Sequence, residues 1–141
     1  MTLRDYTTIS VSMLDQGVAA FALSKEVLPK VLERNIALCK QTISIVDDFV
    51  SRNSQRCSWV KPHGAGVAFI KLFNLKGEPL DDKAFSTRLA EEEGISSVPG
   101  ELCFSTEDRG DFKGYVRLTL GEPERLRKHL HTIEAVLHKS E

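Results

Sequence analysis

The run from about Lys25 to Asn53 limits most strongly what this chain can fold into. Apolar residues recur at Leu28, Val31, Leu32, Leu38, Cys39, Ile45, Val46, Phe49 and Val50, mostly in pairs a heptad apart. That pattern predicts one amphipathic helix, with Pro29 in its first turn, where a missing N–H does no harm. At ~1.5 Å per residue the helix is ~40 Å long. A body of about 100 residues with a ~13 Å radius of gyration is only ~26 Å across. A helix of this length bridges two bodies or packs along another long element, and only one small body follows it here.

The residues before it read differently. Residues 1–12 are rich in Thr and Ser, show no helical period, and are expected to be extended or irregular. Met13, Leu14, Val18, Ala19, Phe21, Ala22 and Leu23 then mix spacings of three and four, which predicts a first helix ending near Ser24. It is apolar on nearly every side and wants burial against something large.

After residue 53 the pattern is α+β. Strands are expected at Cys57–Val60, Val67–Phe73, Ile95–Val98 and Tyr115–Leu120. Asp81 or Asp82 can N-cap a helix that stops at Gly94, and Pro123 opens a last helix with Leu126, Leu130, Ile133 and Leu137 as its stripe. Asn74–Pro79 and Glu107–Lys113 read as loops. The expected fold is therefore long N-terminal helices followed by a small, mainly antiparallel sheet with helices on one face.

Charge and cysteine usage narrow the partners. Nineteen Lys and Arg stand against 20 Asp and Glu, a net charge of −1 with His neutral. That balance argues against nucleic acid, which needs a basic surplus or patch. No apolar run reaches the ~18 to 20 residues of a bilayer span, so no membrane is expected. The first residues lack the hydrophobic region of a secretory signal. Cys39, Cys57 and Cys103 are odd in number and widely spaced, which suits reduced thiols in the cytoplasm better than a disulfide framework or zinc site.

Common catalytic motifs are absent: no GxGxxG, Walker loop, HExxH, CxxC or Gly-x-Ser-x-Gly. Three constellations remain. Arg117 lies in the middle of a strand, Gly114-Tyr115-Val116-Arg117-Leu118-Thr119-Leu120, on the face opposite Val116 and Leu118. Its charge must stay wet or find an anion, and a guanidinium on a rigid strand suits bidentate capture of a carboxylate. An exposed or edge-strand arginine is the plainer alternative. His131, Glu134 and His138 share one side of the last helix and could hold a metal, but a solvated face near the chain end accounts for them, and no metal site is expected. Gly64-Ala65-Gly66 and Pro99-Gly100 allow close backbone approach to a ligand, or simply punctuate strands.

The residues resemble a known family. Trp59-Val60-Lys61-Pro62-His63-Gly64-Ala65-Gly66-Val67-Ala68-Phe69, then Leu89-Ala90-Glu91-Glu92-Glu93-Gly94-Ile95-Ser96-Ser97-Val98-Pro99-Gly100, then Gly114-Tyr115-Val116-Arg117-Leu118 occur in the order and spacing of the C-terminal part of class I/II aminotransferases, the fold-type I enzymes that depend on pyridoxal phosphate. Arg4-Asp5-Tyr6-Thr7-Thr8-Ile9-Ser10 looks most like the branch of capreomycidine-synthase-like and related fungal aminotransferases. The resemblance implies a division into a large-domain remnant over 1–24, an inter-domain helix over 25–53 and a small domain over 54–141. It implies that Arg117 grips the substrate carboxylate, beside the turn Gly64, Ala65 and Gly66.

Its cofactor implication is pyridoxal phosphate for the family and none for these residues alone. The family's Schiff-base lysine, ring-stacking residue and phosphate cup have no counterpart here, and Ser58-Trp59-Val60-Lys61 has a lysine spacing that falls in the wrong segment. Ala65 stands where the family often has glycine, and Glu101 where it commonly has serine; a Glu101 carboxylate beside Arg117 would neutralise the anion site. The expected role is that of an aminotransferase portion acting on amino acids and keto acids, unable to transaminate alone. The alternatives are a domain repurposed as a cofactor-independent enzyme or binding module, and an interaction module completing a separate large domain. The unpartnered first helices imply a homo-oligomer or a large-domain partner.

Overall fold

The structure, a computed structural model, describes residues 12–64, 66–106 and 110–139. The irregular stretch expected over 1–12 lies outside the described residues except for Ser12, as do Ala65 and residues 107–109 of the expected charged loop. The chain divides at Ala37 and Leu38 into two compact units.

The first unit holds α1, Met13–Ala22, and the opening turns of α2, Leu28–Arg52. The Ser12 hydroxyl accepts from the Asp15 N–H at 3.5 Å and caps α1. Met13, Leu14, Val18 and Phe21 fall on one side by helical spacing, and all four are exposed, Met13 at 89% and Phe21 at 68%. The apolar composition is thus as expected for a buried helix, while α1 contains no buried residue.

The second unit is α+β. It contains the rest of α2, then β1 (Cys57–Trp59), β2 (Val67–Leu72), α3 (Asp82–Glu93), β3 (Val98–Pro99), α4 (Gly100–Phe104), β4 (Tyr115–Thr119) and α5 (Pro123–His138). The strands form one four-stranded sheet in the order β1-β2-β4-β3, every neighbour antiparallel. Alternation decides which side chains meet the core. Ala68, Ile70 and Leu72 of β2 and Val116 and Leu118 of β4 are buried together with Ile45, Val46, Phe49 and Val50 of α2, Phe85 and Leu89 of α3, and the α5 stripe. In α2 these positions recur at three and four, the period that turns one side of a helix to a sheet.

Local chemistry fixes the element ends. The Asp81 carboxylate accepts from the Ala84 N–H at 2.9 Å at the start of α3, and Gly94 ends it at a φ of 65°. Pro123 opens α5, capped by the Glu122 carboxylate, which accepts from the N–H groups of Glu124 and Arg125. The Ile95–Val98 strand is shorter than expected: only Val98 and Pro99 pair, and α4 follows where no helix was predicted.

Three buried polar residues tie the layers together. Arg56 donates to the Phe73 carbonyl at 2.7 Å and to the Leu137 carbonyl at 2.9 Å, so a cation sits at the C-terminal end of α5, where the helix dipole favours it. The Asp82 carboxylate accepts from the N–H groups of Glu101 and Gly114, each at 2.9 Å, joining α3 to α4 and to the turn before β4. Gly114 itself has a φ of 80°, and a Cβ there would meet the Leu72 carbonyl oxygen at 2.9 Å. Asn53 donates to Glu134 at 2.7 Å and to the Phe49 carbonyl at 3.0 Å.

Candidate functional site

Residues at odd positions of β4 point away from the core. Arg117 is therefore held on the outer face of the sheet, opposite Phe69 of β2 on one side and Val98 of β3 on the other. With a hydrogen-bonded neighbour on both sides, β4 is an interior strand, so Arg117 is not the edge-strand arginine its sequence also allowed. The side chain is half-buried, and its guanidinium carbon lies 5.7 Å from the centre of the Phe104 ring.

Phe104 belongs to a ring cluster. Its centre is 5.1 Å from that of Phe69 in an edge-on contact and 6.3 Å from Phe112, while Tyr115 lies 6.3 Å from Phe69 and 5.9 Å from Phe112. Lys71, two residues further along β2 on the same face and opposite Tyr115, places its ammonium 5.3 Å from the Tyr115 ring centre and 5.7 Å from that of Phe73. The outer face thus carries two cations and an aromatic shelf. Among the described residues neither cation makes an ion pair.

Glu101 is not what neutralises Arg117. Its backbone N–H is held by Asp82 at the start of α4, and its side chain is exposed and absent from the ion pairs of the described residues. The expected turn sits further off. Gly64 and Gly66 are exposed, and Ala65 lies outside the described residues. The Gly66 carbonyl accepts from the Leu120 N–H at 2.7 Å, which docks the turn on the end of β4. Gly66 is three residues before Phe69, the partner of Arg117, or about 10 Å along the strand at the usual rise.

The remaining candidates serve structure. The Glu134 carboxylate accepts from Arg52 at 3.0 Å and from Asn53 at 2.7 Å, which makes it a brace between α5 and α2. Burial pushes its pKa up, but the hydrogen bonds from Asn53 and Arg52 and the nearby charges of Arg52 and His138 outweigh that and hold it below the ordinary value. Among the described residues no group of His, Cys, Asp and Glu is placed to hold a metal ion. Lys61 donates to the Asp47 carboxylate at 2.6 Å, and that bond lowers the Asp47 pKa. Cys57 is buried, which raises its thiol to about 12, out of range for a reactive thiolate. Cys39 and Cys103 are also free thiols. No helix among the described residues is long and apolar enough to cross a membrane.

What the sequence did not disclose at this site is the shelf. Phe104 sits on the unexpected α4 and Phe112 in a stretch read as a charged loop, so neither falls in a periodic pattern. The nearest signal was compositional: rings recurring at Phe69, Phe104, Phe112 and Tyr115 on either side of the Pro99-Gly100 turn.

Comparison with solved structures gives the fold a context. Aspartate aminotransferase from Thermotoga maritima matches 96% of this chain at 27% identity and a TM-score of 0.69, over 31% of its own length. An aminotransferase from Mycobacterium tuberculosis matches 98% of the chain at 22% identity and a TM-score of 0.71, over 34% of its length. The chain shares its fold with aminotransferases. A third match, a pyridoxal-phosphate-bound aminotransferase from Clostridium difficile, covers 84% of the chain at 17% identity with a TM-score of 0.61 and 28% of its own length. The chain spans about a third of the length of these aminotransferases. No family model matches the sequence, and no curated protein matches it.

Proposed function

We propose that these residues are the C-terminal, small-domain portion of a pyridoxal-phosphate-dependent aminotransferase, and that they do not transaminate alone. The observation that carries this is the match to nearly all of the chain but only about a third of the Thermotoga enzyme. In that reading Arg117, rigid on an interior strand and without an acidic partner among the described residues, orients the carboxylate of an amino acid or keto acid. The division at residues 24 and 53 and the capreomycidine-synthase-like branch belong to the same reading and rest on the sequence resemblance.

The residues present do not fit the cofactor. A lysine that condenses with an aldehyde must offer an uncharged amine, which needs a desolvated pocket or a neighbouring cation. Every lysine except Lys71 is exposed. The Lys71 ammonium is engaged over the Tyr115 and Phe73 rings. Borohydride reduction of the chain mixed with pyridoxal phosphate, followed by intact-mass measurement, should leave no stoichiometric adduct at one site. A single lysine carrying a full equivalent, Lys61 or Lys71 included, would overturn the statement that the chain cannot work alone.

A second reading concerns association, and α1 favours it. Four large apolar side chains exposed on one side of a short helix mark an interface. We propose that this side is covered by a second copy of the chain, in the place a large domain would take. Light scattering at micromolar concentration should give at least twice the 15.8 kDa chain mass. Replacing Met13, Leu14 and Phe21 together by serine should return it to the monomer. A monomeric parent chain would count against self-association.

A further inference from the structure

The outer face of the sheet says more than that an anion binds there. The Arg117 guanidinium carbon lies over the Phe104 ring, 5.7 Å from its centre. A guanidinium carries five N–H donors in a planar fork, and that fork is what a carboxylate takes. Whatever is attached to that carboxylate must then lie against the rings around it. Phe104 and Phe112 are 38% and 36% exposed, and both touch Phe69 beneath, at 5.1 and 6.2 Å between centres. Rings that keep more than a third of their surface in water, beside a guanidinium with no acidic partner among the described residues, form an apolar shelf with a cation at its edge.

We propose that this face selects carboxylates that carry an aromatic side chain: the carboxylate on the Arg117 fork, the ring against Phe104 and Phe112. The proposal rests on the reading of Arg117 as the carboxylate-binding residue and adds the substrate class to it. The other occupant to weigh is a dicarboxylate spanning Arg117 and Lys71. To reach it, Lys71 must leave both the Tyr115 and the Phe73 rings and give up two cation–π contacts. A ligand ring on the shelf costs no such contact. It adds an aromatic pair within the 4.5–7 Å range that such pairs favour.

The probes are propionate, 3-phenylpropionate and succinate, each titrated into the whole chain and followed by amide NMR shifts. 3-Phenylpropionate should move the amides of Phe69, Phe104, Phe112 and Arg117 and bind about tenfold tighter than propionate, the gain of one ring–ring contact. Succinate should bind no tighter than propionate. Phe104→Leu should close the gap between 3-phenylpropionate and propionate, the two affinities being compared on the same variant. Arg117→Ala should weaken both. An undisturbed amide spectrum of each variant away from the shelf shows that the fold is kept.

Equal binding of propionate and 3-phenylpropionate, with shifts at Arg117, would overturn the aromatic selection and leave the carboxylate reading standing. Tightest binding of succinate, lost in Lys71→Gln, would overturn it in favour of the dicarboxylate. Shifts that persist unchanged in Arg117→Ala, or none at Arg117 with any probe, would overturn the carboxylate reading itself and this proposal with it.

Discussion

Phe49→Ala should cost about 3–5 kcal/mol of unfolding free energy, the range for deleting a buried aromatic side chain. Phe49 is 1% exposed and belongs to the core cluster that joins α2 to the sheet and α5. Its backbone also matters: the carbonyl accepts from the Asn53 side chain, which in turn holds Glu134 of α5. A cavity at Phe49 loosens the side of α2 from which that brace is built. A small domain has only about 5–15 kcal/mol in all, so the variant should unfold at a much lower urea concentration with a nearly unchanged slope. A loss below about 1 kcal/mol would show that the second half of α2 is not welded to the sheet.

Asp82→Ala is the second large effect, and it couples stability to the candidate site. The carboxylate is 1% exposed and satisfies two backbone donors, on Glu101 and Gly114. Each donor left without a partner away from water costs about 1–3 kcal/mol. The total expected is about 2–4 kcal/mol, reduced because the buried charge is removed as well. Asp82→Asn keeps the shape but offers one acceptor oxygen in place of two, so it should fall between Ala and the parent. Both donors sit at the roots of the outer face: Glu101 is in the helix that carries Phe104, and Gly114 precedes Tyr115. Urea unfolding measures the loss. Amide shifts spreading to Phe104 and Arg117 in the Asn variant show that the shelf depends on this carboxylate, and shifts confined to residues 81–83 would show that it does not.

How far the sequence carried the fold depends on the kind of signal. Asp81, Gly94 and Pro123 are local devices, and each acts within a few residues of where it stands, so the ends of α3 and the start of α5 were legible. Val67–Leu72 and Tyr115–Thr119 alternate, so their faces, and with them the outward direction of Arg117, were legible too. The α4 helix was not. Its five residues are too few to show a period, and the group that satisfies the Glu101 N–H comes from Asp82, 19 residues earlier. Arg56 and Asn53 were missed for a related reason: polar residues are normally exposed, and burying them requires partners that only the folded chain brings together. α1 shows the reverse case. Its composition asked for burial, and the described residues leave Met13 and Phe21 open.

The pairing of β2 with β4 has a consequence for how the molecule comes together in time. Roughly 40 residues separate Leu72 from Tyr115, and the entropy of closing a loop of that length falls due before any of the pairing's hydrogen bonds repay it. α3 is the element able to form inside that loop from local contacts alone, with its cap at Asp81 and its stop at Gly94. Asp82 then offers one carboxylate to two points further along the chain. Each attachment shortens the length of chain still free to wander before Gly114 reaches Leu72. The β2–β4 pairing is therefore expected late, and β3, whose one partner in the sheet is β4, joins with it, so the guanidinium on β4 takes its place in the same step that completes the sheet.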